Sequence, residues 1–235
     1  MDIASELPLA YRVFDAAARP AGLVIVDIVN GFASVGAGPL APPAADDQVT
    51  RMIGEADRLA CAFLNRNAPV LAFQDSHQPG KPEPPYPPHC EQGSGQDELV
   101  PALAWLQGQP LATLVRKDCI NGFVGAIDLV SGRNRVVDWV NAQGLETVLV
   151  VGICTDICVM DFVLTMLSAR NHGMMPALRD VVVYEPGCAT YDLPRAAAGA
   201  LGLPETAIHP KALTHHVGLY LMASRGAILA DEVAA

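Results

Sequence analysis

The stretch that most limits how this chain can fold is the unbroken apolar run Val148 to Val151. A strand with water on one face alternates apolar and polar side chains, whereas one that is apolar throughout needs cover above and below. Gly152 interrupts the run. Thr155 and Asp156 then open a second pattern, with Ile157, Val159, Phe162, Val163 and Met166 at helical spacing. With Thr155 as the N-cap, Cys158 falls in the first helical turn. Backbone N–H groups there lack intrahelical acceptors, and the helix dipole favours negative charge. A thiol so placed can become reactive, and an oxyanion beside it finds donors.

The same alternation recurs along the 235 residues. Gly22 to Asp27 and Val70 to Asp75 are short apolar strands that each end in a carboxylate, and Ala112 to Arg116 is a strand that delivers Lys117. Ala177 to Tyr184 is a further strand. Amphipathic spacing predicts helices over Asp46 to Asn65, Leu99 to Leu106, Asn134 to Asn141, Leu193 to Leu201 and Pro210 to Met222. Leu7, Tyr11 and Phe14 predict an N-terminal helical arm over residues 1–20. Strands alternating with helices imply an α/β fold, three layers α/β/α around a mostly parallel sheet, in a single domain over residues 1–235. No pattern marks the tail beyond Gly226.

Charge narrows the partners. Fifteen basic and 25 acidic residues leave a net charge of -10 with no basic cluster, which argues against nucleic acid and anionic membranes. Asp2 and Glu6 stand where a signal peptide would be basic, and no apolar run is long enough to span a bilayer, so a cytoplasmic protein is expected. The six cysteines show neither zinc-ribbon spacing nor a disulfide framework. Most read as buried small hydrophobes.

Two constellations carry chemistry. Asp75-Ser-His77 puts two ligand-type side chains at i and i+2, on one side of a strand. His89 follows at the end of a loop with six prolines between Pro79 and Pro88, and Glu83 lies between the histidines. Two imidazoles and a carboxylate suit Zn²⁺, Fe²⁺ or Mn²⁺, with Glu83 or water completing the set. The second constellation is Asp27, Lys117 and Cys158, each at or just past a strand's C-terminal end, where open parallel sheets bind ligands. Each has a plain structural reading: Asp27 as a cap, Lys117 as a solvated strand end, Cys158 as a core residue. Together they are a base, a cation and a nucleophile. His215-His216 reads as a polar helix face.

These motifs resemble the isochorismatase-like cysteine hydrolases, and within them the nicotinamidase branch of plant type. The resemblance runs from about Leu23 to the Cys158 helix. It rests on Val-Asp27-Ile-Val-Asn30-Gly-Phe32, Asp75-Ser-His77 with Pro-Pro-His89-Cys and Gly93-Ser-Gly95, Lys117, and Gly152-Ile-Cys-Thr-Asp-Ile-Cys158-Val159. It implies a catalytic triad of Asp27, Lys117 and Cys158, and a cis peptide joining Ile153 to Cys154. The backbone amides of Cys154 and Cys158 then form the oxyanion hole. It also implies a divalent metal, zinc first and iron or manganese otherwise, held by Asp75, His77, His89 and Glu83, which binds a pyridine nitrogen. By position, Phe32 and Tyr86 sandwich the ring and Phe123 closes the pocket. The chain departs from many members in having Val29 two residues after the aspartate, where they have Gln, and Cys154, where they have a small residue.

The activity so implied is hydrolysis of nicotinamide to nicotinate and ammonia through a Cys158 thioester, within pyridine nucleotide salvage. No organic cofactor is expected, the partner is a small-molecule amide, and the protein is expected to be a homo-oligomer. Two alternatives stand beside this one. A cysteine amidase for carbamoyl or ureido substrates shares the triad but generally lacks the metal motif. A non-catalytic binding or scaffold protein of the same fold has no need of an intact triad and metal set.

Overall fold

A computed structural model describes residues 3–81 and 83–234. Seven strands form one sheet: β1 (Tyr11–Asp15), β2 (Ala21–Val26), β3 (Val70–Asp75), β4 (Ala112–Lys117), β5 (Thr147–Ile153), β6 (Asp180–Ala189) and β7 (Ile228–Ala234), in the order β1-β7-β6-β5-β2-β3-β4. Every pairing is parallel. The central strands β2, β3 and β5 are buried at every position, as their unbroken apolar runs require.

Side chains divide by parity between two cores. Val24, Val26, Leu71, Phe73, Val148 and Val150 face one layer, while Leu23, Ile25, Val70, Ala72, Leu149 and Val151 face the other. After the short turns α1 (Ile3–Glu6) and α2 (Asn30–Ala33), the long helix α3 (Asp47–Asn65) covers the second face with a 3-10 helix over Pro101–Leu106. Asp46 caps α3 by accepting from the Gln48 and Val49 amides at 2.9 and 3.1 Å. The first face is covered by α4 (Gly122–Gly125), α5 (Arg135–Ala142), α6 (Met160–Asn171) and, after α7 (Arg195–Ala200), by α8 (Lys211–Ala223). This is the expected three-layer α/β/α arrangement.

The two edges of the chain differ from expectation. Within the predicted N-terminal arm only Ile3–Glu6 is helical; Tyr11–Asp15 is a strand paired with β7, and residues 1–2 lie outside the described residues. Tyr11-Arg-Val-Phe is β-prone, and its partner lies over two hundred residues downstream, so local spacing alone misjudges it. The C-terminal tail supplies that partner. Leu99 to Leu106 begins later than its spacing suggests, at Pro101, and winds as 3-10 helix. Pro82, within the proline-rich loop, also lies outside the described residues. Among the described residues no helix is long and apolar enough to cross a membrane.

Candidate active site

The sheet order creates a switch point between β2 and β5. From β2 the chain steps to β3 and β4 on one side; from β5 it steps to β6 and β7 on the other. The connecting segments therefore diverge above the carboxyl ends of β2 and β5 and leave a crevice. Asp27 follows β2 and Cys158 follows β5, so the two straddle it. Asp75 and Lys117 end the next two strands and are register partners.

Lys117 is 2 % exposed, which rules out a solvated strand end. Its ammonium donates to Asp75 Oδ1 at 2.8 Å and to the Cys119 carbonyl at 2.9 Å, and it lies 2.8 Å from Asp27 Oδ2 as an ion pair. Burial pushes the ammonium pKa down, but the anionic neighbours led by Asp27 win and hold it well above its ordinary value. The sequence does not announce that one lysine serves both carboxylates.

Asp27 is fully buried with φ 53, a left-handed conformation that a short polar side chain tolerates. Its contact with Lys117 is close but off the hydrogen-bonding angle. Among the described residues neither carboxylate oxygen has an aligned donor. Burial outweighs the attraction of Lys117 and raises its pKa to about 6. Cys158 is 8 % exposed, and burial lifts its thiol well above the usual range against the pull of Lys117. At neutral pH the pair therefore rests as carboxylate and thiol, each biasing the other's protonation.

The turn that carries Cys158 differs from a capped α-helix. β5 runs through Gly152 to Ile153; a side chain at Gly152 would sit 2.2 Å from the Val26 carbonyl oxygen, so only glycine fits. The Ile153–Cys154 peptide is cis, as expected. Thr155–Val159 winds as one π-helical turn, with Ile157 and Val159 amides both donating to the Cys154 carbonyl at 3.0 and 3.1 Å. Thr155 is not the N-cap: that position is Cys154, no side chain caps the turn, and the Thr155 hydroxyl instead pairs with His215 Nδ1 at 2.8 Å. His215 is buried, not a polar surface face.

Beside the triad the structure gathers Asp75, His77, Glu83 and His89, whose ligand atoms all lie within 4.8 Å of one another. Asp75 Oδ2 is 3.0 Å from His77 Nε2 and 3.2 Å from His89 Nε2, and Glu83 Oε2 is 3.6 Å from both. His89 Nδ1–H donates to the Pro87 carbonyl at 2.8 Å, which fixes the ring orientation and aims Nε2 into the cluster. Glu83 Oε1 accepts from the Ile120 amide at 2.8 Å, which orients its other oxygen. Two imidazole nitrogens and two carboxylates in a buried pocket are a fitting donor set for a divalent transition metal. Asp75, through Lys117, joins this group to the triad.

Two aromatic side chains approach the same place. The rings of Phe32 and Tyr86 flank His89, with centroids at 5.6 and 6.0 Å, and both are half-buried. Phe123 is buried in the core cluster that contains Cys158. Val29 is wholly buried in the core and bridges to Leu99.

Known proteins resemble this chain in sequence and in fold. The isochorismatase domain matches residues 21–203. The chain is 53% identical to Nicotinamidase 1 of Arabidopsis thaliana over 212 residues, covering 90% of this chain and 86% of that protein. The crystal structure of nicotinamidase from Bacillus subtilis superimposes with a TM-score of 0.66 at 20% identity, covering 90% of this chain and 99% of that one. Pyrazinamidase of Pyrococcus horikoshii, solved in complex with zinc, superimposes with a TM-score of 0.60 at 19% identity, covering 89% and 98%. The chain belongs to the isochorismatase family.

Proposed function

We propose that this protein is a nicotinamidase, hydrolysing nicotinamide to nicotinate and ammonia with Cys158 as nucleophile. The observation that carries the reading is the buried ammonium of Lys117, 2.8 Å from both Asp27 and Asp75, which ties a base–thiol pair to a metal-type donor set. The similarity to Arabidopsis Nicotinamidase 1 supports the substrate.

In the mechanism, Asp27 accepts the Cys158 proton as the sulfur attacks the amide carbon. Asp27 suits this role because it is ionised above about pH 6 and has oxygens without aligned donors. Lys117 keeps the combined negative charge of Asp27 and the forming thiolate tolerable in a dry site. The amides of Cys154 and Cys158 take the tetrahedral oxyanion. Protonated Asp27 then gives its proton to the leaving nitrogen, ammonia departs and a thioester remains. Asp27 next removes a proton from water as the water attacks; the C–S bond breaks, the thiol regains a proton and nicotinate leaves. Phe32, Tyr86 and Phe123 provide the apolar walls for the ring. Asp75, His77, His89 and Glu83 would hold a divalent cation, zinc first, which would supply a Lewis acid for the pyridine nitrogen.

The second reading, an amidase for carbamoyl or ureido substrates, uses the same triad but has no need of the histidine cluster. Ammonia release separates the two. Purified protein should release ammonia from nicotinamide and lose that activity in Cys158→Ala. Activity surviving Cys158→Ala overturns the mechanism, and turnover of carbamoyl or ureido amides alone overturns the substrate.

A further inference from the structure

The turn that presents Cys158 has no cap of its own, yet both polar side chains that open it are committed. Thr155 Oγ1 pairs with His215 Nδ1 at 2.8 Å. Asp156 Oδ2 accepts from His209 Nε2 at 2.7 Å, and Asp156 Oδ1 accepts from the Thr190 hydroxyl at 2.7 Å. All three partners come from the chain after β6. The second ring nitrogen of His209 donates to the Tyr191 carbonyl at 2.9 Å, and its ring stacks on Tyr191 with centroids 3.9 Å apart. Both nitrogens of His209 therefore face acceptors, which only the imidazolium satisfies. α8 closes against the same turn: a side chain at Gly218 would lie 2.8 Å from the Asp156 Cα.

A π-helical turn is wider than an α-turn and is held by fewer local constraints, so its orientation depends on what grips it from outside. Here the grip falls on the two residues immediately after Cys154, and Cys158 lies in the same turn. We propose that His209 and His215 are positioning residues for the nucleophile: they hold Asp156 and Thr155 so that the Cys158 thiol and the turn's amides keep their places relative to Asp27. Neither histidine touches the reacting atoms. This proposal rests on the reading of Cys158 as nucleophile. A thiol displaced by about an ångström loses rate while the aromatic walls and the histidine cluster still bind substrate, so the cost falls on kcat rather than KM.

The test compares His209→Ala with His209→Gln, whose side-chain amide keeps a donor at the reach of Nε2. His209→Ala is expected to lower kcat by about tenfold to a hundredfold with KM within about threefold, and His209→Gln to recover most of the loss. The rate of Cys158 carbamidomethylation by iodoacetamide, followed by mass spectrometry at that residue, should fall with kcat in His209→Ala and return in His209→Gln. Thermal melts establish that each variant is folded. The proposal is overturned if His209→Ala keeps its kcat, if the Gln variant is no better than the Ala variant, or if kcat falls while the Cys158 alkylation rate does not. Should His209→Ala fail to fold, His215→Ala against His215→Asn gives the same contrast, since Asn keeps a polar nitrogen at the reach of Nδ1. If the wild-type protein does not turn over nicotinamide, the substrate reading fails, and the alkylation contrast still decides whether the histidines position the thiol.

Discussion

Asp27 and Asp75 end neighbouring strands, are almost fully buried, and each lies 2.8 Å from the same ammonium, yet their acidities move in opposite directions. Burial pushes both pKa values up and Lys117 pulls both down. Asp75 has two further donors, His77 and His89, and these hold its carboxyl far below the ordinary range. Asp27 has no such donors, and the nearby charge of Asp75 adds to the push, so it stays near 6. A carboxylate held ionised suits a cation; one poised near neutrality suits proton transfer. On the proposed reading, one strand of separation divides ligand from base, and the division follows from who else donates.

The sharpest way to break this comparison is to neutralise each carboxylate in turn. Asp27→Asn should lower kcat by about 10,000-fold, as when a triad loses its acid–base partner, while bound metal by elemental analysis stays at the wild-type stoichiometry. Asp75→Asn should do the reverse in kind, weakening metal retention by about a hundredfold, with activity returning at high added metal. If Asp27→Asn strips the metal, or Asp75→Asn keeps it and still fails to turn over, the assignment of the two roles is wrong.

A pH profile sharpens the comparison without a mutation. The reactive form needs Asp27 ionised, so kcat/KM should be level above about pH 6 and fall about tenfold per pH unit below it. Metal content measured at pH 5 separates protonation of Asp27 from loss of the cation. A profile flat down to pH 4 with metal retained removes Asp27 from the role of base.

Much of this was legible because the relevant signals are local. Apolar runs ending in Asp27, Asp75 and Lys117 mark strand ends, and strand ends define one rim, so the nearness of these side chains is readable before any distance is known. The Asp-x-His pair and His89 were likewise readable from ligand chemistry. What stayed hidden depends on register or on distant pairing. Nothing local shows that Asp75 and Lys117 are opposite one another across β3 and β4. The edge pairing of β1 with β7 joins the two ends of the chain, and helical spacing at Leu7, Tyr11 and Phe14 misled there. In sequence His215 reads as part of a polar helix face, because its partner, Thr155, lies sixty residues away. The half-buried Asp156 offers the usable hint: a carboxylate inside an apolar strand-to-helix turn needs a donor, and His209 supplies it.

Glu83 gives the smallest expected effect and tests the boundary between the two carboxylate roles. One of its oxygens is held by the Ile120 amide and the other stands 3.6 Å from both histidines, farther than Asp75 Oδ2 and more exposed, at 17 %. A group so tethered can serve as a ligand or as a brace that keeps the proline-rich loop over the cluster. Glu83→Gln keeps an acceptor for the Ile120 amide and removes the charge, whereas Glu83→Ala removes both. If Glu83 is a ligand, both variants should weaken metal affinity by about tenfold, measured by competition with a chelator. If it is a brace, Glu83→Gln should bind metal like the wild type and only Glu83→Ala should lose affinity. The second pattern would leave Asp75, His77 and His89 as the three protein ligands and make the donor set of the open kind that keeps a coordination position for substrate or water.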